Sequence, residues 1–152
     1  MTGVGPENSE SAISLILSLF NPIMILNIGT AGYISPSTSP IHRLNQGELV
    51  WATSFELVDN NEPDSDQQAP VIESDDRLPH PSLYQLNPHP ISLKTVRVPQ
   101  SITPTSSKKD RTSPYIVDME AYPQATHCAD TDTSFHCLKF ISDCSDKTLI
   151  QD

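Results

Sequence analysis

The chain has 152 residues, with 9 Lys+Arg against 19 Asp+Glu and a formal net charge of −10. A phosphate backbone or an anionic membrane would repel it, so no nucleic-acid or membrane partner is expected. With 36% hydrophobic and 6% aromatic residues, and 14 prolines against 5 glycines, the length suffices for one domain, but the core cannot be spread evenly along it.

Residues 8–20 crowd Ala12, Ile13, Leu15, Ile16, Leu17, Leu19 and Phe20 too densely for a narrow apolar stripe, which predicts a largely buried helix ended by Asn21-Pro22. The same break interrupts the apolar run 12–26. Glu7 and Glu10 precede that run with no Lys or Arg, which argues against a signal peptide and a spanning helix, and for a soluble cytoplasmic protein. "IMILNI" (23–28) predicts a strand covered on both faces in a parallel sheet, running straight into Gly29-Thr30-Ala31-Gly32. "ELVWATSFELVD" (48–59) predicts one or two further strands.

The middle, residues 60–114, holds nine of the 14 prolines, and nine acids with no Lys or Arg lie between Leu44 and Asp76. Prolines deny a sheet its ladder donors and the acids repel one another. Irregular, solvated chain is expected, with at most a short strand around 92–98; a Pro/Ser-rich peptide ligand is the other reading. From Tyr115, "YIVDME" predicts a strand, "AYPQATHCA" a helix, "DTDTS" a turn and "FHCLKFI" a strand. This alternation implies a parallel α/β sheet.

Cys128, Cys137 and Cys144 make no disulfide framework and suit a reducing compartment. His127-Cys128 and His136-Cys137 offer zinc-type ligands, but their spacing fits no metal template, and small apolar fillers are the other reading. No metal or cofactor is expected.

Ligands of open α/β sheets bind beyond the carboxyl ends of strands. Three such ends stand out: Gly29-Thr30-Ala31-Gly32, where backbone can approach a ligand closely, then Asp118-Met119-Glu120, then Ser142-Asp143, where carboxylates can grip hydroxyls or deliver a proton. Taken singly, each also reads as a turn or a helix cap.

In order, "TGVGPENSESAISLIL", "ILNIGTAG", "GELVWAT", "VDMEAYPQATHC" and "CLKFISDCSD" resemble successive blocks of the purine nucleoside phosphorylase and 5'-methylthioadenosine/S-adenosylhomocysteine nucleosidase superfamily. The resemblance covers residues 2–59 and 115–147 and not the proline-rich middle. It implies one α/β domain over 1–152, an incomplete three-layer αβα nucleoside phosphorylase-like domain with a mostly parallel sheet. Its parts are 1–59, a disordered Pro-rich 60–114, and 115–152.

The resemblance also implies cleavage of the N-glycosidic bond of a small-molecule purine nucleoside. Positive charge builds on the sugar and negative charge on the departing base, so protonating the base and holding the ribose give the most. Asp143 carries over as the acid serving purine N7, Glu120 as the ribose-hydroxyl ligand with Met119 beside the sugar, and Thr30, Ala31 and Gly32 as the loop under the nucleoside. Phosphorylases of this family place an arginine just before the Gly-Ser/Thr turn. This chain has Asn27-Ile28 there, so hydrolysis is favoured over phosphorolysis. Self-association into a homo-oligomer is implied.

The family's GAMxxE-like block, with its water-activating glutamate, its Ser-Gly-Asp-x-Phe-like block with a base-stacking aromatic, and its long closing helix have no counterpart here. No general base is therefore assigned. The alternative to an active enzyme is a catalytically inactive remnant that binds a nucleoside or a full-length homologue.

Overall fold

A computed structural model describes residues 5–35, 44–58, 69–74, 78–96 and 113–145. Helix α1 spans Pro6–Phe20: proline at its first turn loses no intrahelical bond, and the chain leaves through Asn21 in the left-handed region (φ 44°), whose amide donates to the Leu17 carbonyl at 3.2 Å. The expected burial of this helix is corrected. Only Ser9 and Ile13 are buried, while Leu15, Leu19 and Phe20 are 58%, 65% and 73% exposed. Among the described elements α1 packs chiefly on one other helix, so apolar density alone did not guarantee a cover.

Six strands follow: β1 (Met24–Ile34), β2 (Leu49–Val58), β3 (Ile72–Glu73), β4 (His89–Val96), β5 (Tyr115–Asp118) and β6 (Ser134–Ser145). Helix α2 (Pro81–Tyr84) precedes β4 and α3 (Ala121–Asp130) lies between β5 and β6. The strand order is β3-β2-β4-β5-β1-β6, and β6 also pairs with β2, which closes a five-stranded ring. Pairs β1–β6, β2–β4 and β4–β5 are parallel, and β1–β5, β2–β6 and β2–β3 antiparallel. The α/β class is as expected. The mostly parallel, three-layer expectation holds only in part: the longest ladders, β1–β6 and β2–β4, are parallel, but the sheet is mixed and closed, because strand–helix alternation fixes neither which strands become neighbours nor whether the sheet's ends meet.

Parts of the proline-rich middle are among the described residues. The strand anticipated around 92–98 is present as β4, and β3 and α2 lie near it. Two prolines are accommodated by position: Pro81 opens α2, and Pro90 pairs with Trp51 of β2 below the first β5 rung, Ser92–Tyr115. Residues 59–68, 75–77 and 97–112 of this stretch lie outside the described residues.

Alternation sorts the core. Ala31 and Tyr33 of β1, Cys137 and Ile141 of β6, and Ile116 of β5 face α3, beside an edge-on Phe55–Phe135 pair at 5.2 Å. On the opposite face Ile34, Val96 and Val117 form a smaller cluster with Met119 against it. The outer face of β1 is not covered as expected: Leu26 and Ile28 are 37% and 63% exposed.

Candidate functional site

The predicted turn at 29–32 and the predicted strand end at 142–143 are both interior to strands. β1 runs through Gly29, Thr30, Ala31 and Gly32, and β6 runs on through Asp143. Between Ala31–Ile141 and Gly32–Asp143 the register shifts, leaving Ser142 as the extra residue of a β-bulge. Strict alternation would give Asp143 the inward face of Lys139 and Ile141. The bulge turns it to the face of Thr30 and Gly32, where it is exposed. The single proton of the Ser142 hydroxyl lies within reach of two acceptors, the Ala31 carbonyl (3.2 Å) and Asp143 Oδ1, and can serve one of them at a time.

Gly32 is needed for this approach. A Cβ there would lie 3.3 Å from Asp143 Oδ2 and 3.5 Å from Oδ1. Thr30, Gly32 and Asp143 thus share one face of the sheet, which is also the face of the cluster that holds Met119. Ala31 points the other way and is 4% exposed in the core, so its contribution on the open face is backbone alone.

Glu120 is placed differently. It stands at the start of α3, and its carboxylate accepts the Gly5 amide at 3.2 Å and the Met119 amide at 3.3 Å, while its carbonyl accepts the Ser9 hydroxyl at 2.9 Å. These bonds lock the beginning of α1 onto the beginning of α3; Gln124 adds a 2.6 Å bond to Ser9 Oγ and accepts Asn27 Nδ2 at 2.7 Å.

The sheet interior holds an ion pair that the sequence reading did not single out. Lys139 Nζ lies 3.1 Å from Asp118 Oδ2, both side chains almost fully enclosed. Asp118 also accepts the Thr95 hydroxyl at 2.7 Å and the Ala121 amide at 3.1 Å, and Thr95 Oγ1 accepts the Tyr122 amide at 2.9 Å. One carboxylate therefore caps α3 and neutralises a buried ammonium. Burial pulls the Lys139 pKa down, but Asp118, with smaller help from Cys137 and Glu120, outweighs it and the net direction is up. The available signal for Lys139 was parity: in "FHCLKFI" it shares the inward phase of Phe135, Cys137 and Ile141.

Two hollows, about 190 and 170 Å³, lie elsewhere, the first lined by Phe55, Ala125 and Phe135 and the second by Glu10, Tyr122 and His127 between α1 and α3. Neither is lined by a predicted site residue. Among the described residues no group of three or more His, Cys, Asp or Glu could hold a metal ion, and no helix is long and apolar enough to cross a membrane.

No family model and no curated protein matches the chain. Solved structures do. The chain is similar to a Campylobacter jejuni 5'-methylthioadenosine/S-adenosylhomocysteine nucleosidase, with a TM-score of 0.76 and 19% identity over 99% of this chain and 69% of that one. A futalosine hydrolase mutant of Helicobacter pylori strain 26695 matches with a TM-score of 0.70 and 17% identity, covering 94% and 67%. The corresponding nucleosidase of Colwellia psychrerythraea 34H, in complex with adenine, matches with a TM-score of 0.73 and 17% identity, covering 95% and 64%. The chain therefore shares the α/β fold of these nucleosidases and of the futalosine hydrolase.

Proposed function

We propose that this protein is a cytoplasmic nucleosidase-type enzyme that hydrolyses the N-glycosidic bond of purine nucleosides. The single observation that carries the reading is the bulge at Ser142, which turns Asp143 onto the open face against Gly32 in a fold shared with nucleosidases. A carboxylic acid there protonates the departing base at N7, so the electron pair of the breaking C–N bond leaves on a neutral purine. Met119 packs beside the sugar on that face, and Thr30 and Gly32 form the floor beneath the nucleoside. Water is the acceptor: the cation opposite Gly29, Lys139, is committed to Asp118 at 3.1 Å and is not free to hold phosphate. Self-association belongs to the same proposal.

A second reading is nucleoside binding without turnover. It is favoured by Glu120, whose carboxylate accepts the Gly5 and Met119 amides and so has a structural use that requires no ribose.

The test is release of free base from methylthioadenosine, adenosine and inosine, with and without phosphate. Release independent of phosphate, and at least a hundredfold slower in Asp143→Asn, is the expected result. Calorimetric nucleoside binding with no base released would establish the second reading instead.

A further inference from the structure

We infer that Phe140 is the platform on which the planar base of the ligand lies, with its edge directed at Asp143; this rests on the purine nucleoside reading above. Phe140 is 45% exposed in the interior of β6, between Lys139 at 3% and Ile141 at 1%, so its exposure follows from strand parity and not from a frayed end. It is paired on both sides: Thr30 of β1 stands across one ladder and Leu49 of β2 across the other. The next rung on its face is Gly32–Asp143, brought there only because Ser142 bulges. Ring and carboxylate thus share one open face, and Ile28, 63% exposed, extends the apolar surface by one rung in the other direction.

The dimensions suit a fused bicyclic base. Thr30 and Gly32 are two residues apart along β1, about 6.6 Å, close to the long dimension of a purine. A base lying over Phe140 presents its ring-nitrogen edge to Asp143, where the carboxyl group supplies direction and the aromatic face supplies contact area without regard to substituents. A hydrogen-bonding acid with no apolar floor selects poorly among small polar solutes, whereas the combination selects a flat heteroaromatic.

The experiment titrates the full chain with adenine, followed by calorimetry and by hypochromism of the adenine absorption band, which reports ring stacking and not fold stability. Phe140→Ala is expected to bind at least about tenfold more weakly and to abolish the hypochromism, and Phe140→Tyr to stay within about threefold with hypochromism retained. Asp143→Asn binds more weakly but keeps the hypochromism. Wild-type affinity in Phe140→Ala would overturn the platform and leave the nucleoside reading intact. Wild-type protein that neither binds adenine nor releases base would overturn both. If Phe140→Ala unfolds, Phe140→Leu takes its place, and retained hypochromism there overturns the proposal. A second copy seated on this face would appear as concentration-dependent sedimentation lost in Phe140→Ala with adenine affinity unchanged, and would also overturn it.

Discussion

Lys139 and Asp118 meet at 3.1 Å inside the closed sheet, with only 4% and 1% of their side chains exposed. Attraction at such a site offsets the cost of stripping water from two charges only while both are present. Lys139→Met is expected to lower unfolding stability by about 3–5 kcal/mol, and the double variant Lys139→Met/Asp118→Asn by less than the sum of the two singles. Urea unfolding of the four species measures the coupling.

Alkaline pH should destabilise the protein through groups that keep their protons when folded. Burial pushes the Cys128 thiol from 9.0 up to about 11. Burial also dominates for Cys137, pushed from 9.0 up to about 12, where Lys139 lowers and Asp118 raises it further. Lys139 is likewise raised above 10.5. For each, the folded pKa exceeds the unfolded one, so the stabilisation is complete below the unfolded value and is lost as pH climbs through the folded one. Melting temperature is expected to hold up to about pH 9 and fall beyond it, with a shallower fall in Cys137→Ala.

Gly29 and Gly32 should respond differently to alanine. At Gly29 the new Cβ would sit 3.2 Å from Lys139 Nζ, which the Asp118 bond holds in place, so a loss of about 1–2 kcal/mol is expected. At Gly32 it would meet an exposed carboxylate able to swing aside, so the loss should stay within about 0.5 kcal/mol. Displacement of Asp143 should nonetheless slow base release by about tenfold or more. Thermal melts beside kinetic assays of both variants separate the two effects.

Thr95→Val removes the hydroxyl that donates to Asp118 and accepts from Tyr122. Both partners are buried, and about 1–3 kcal/mol should be lost. Circular dichroism melts check this.

Thiol chemistry should distinguish the three cysteines. Cys128 and Cys137 are buried and Cys144 is exposed. An aromatic disulfide reagent is expected to titrate one thiol rapidly in the native protein, and the other two only with global unfolding.

Local chemistry was legible in the sequence and long-range closure was not. Asn21-Pro22 ends α1 where expected, β2 and β5 lie within the segments read from apolar patterning, and α3 and β6 cover theirs but overrun them, β6 by four residues at its end. The exposure of Leu15 and Leu19 was not legible, because apolar density says nothing of how many neighbours a helix will find. Nor was the face of Asp143: period-two counting from Ile141 assigns it inward, and only the unpaired Ser142 reverses that. Likewise, the antiparallel pairing of Leu49–Trp51 with Phe140–Leu138 depends on the full ring geometry and leaves no mark in either segment. Lys139 was the missed opportunity, since its inward phase in an apolar strand already demanded a buried acid.

β6 lies between β1 and β2, although among the described strands it comes last in chain order and they come first. During synthesis the two leading strands must therefore wait, with backbone donors and acceptors unmatched along one side, until a segment about a hundred positions later emerges from the ribosome. Insertion of β6, which gains both neighbours at once, is therefore expected to come late in folding.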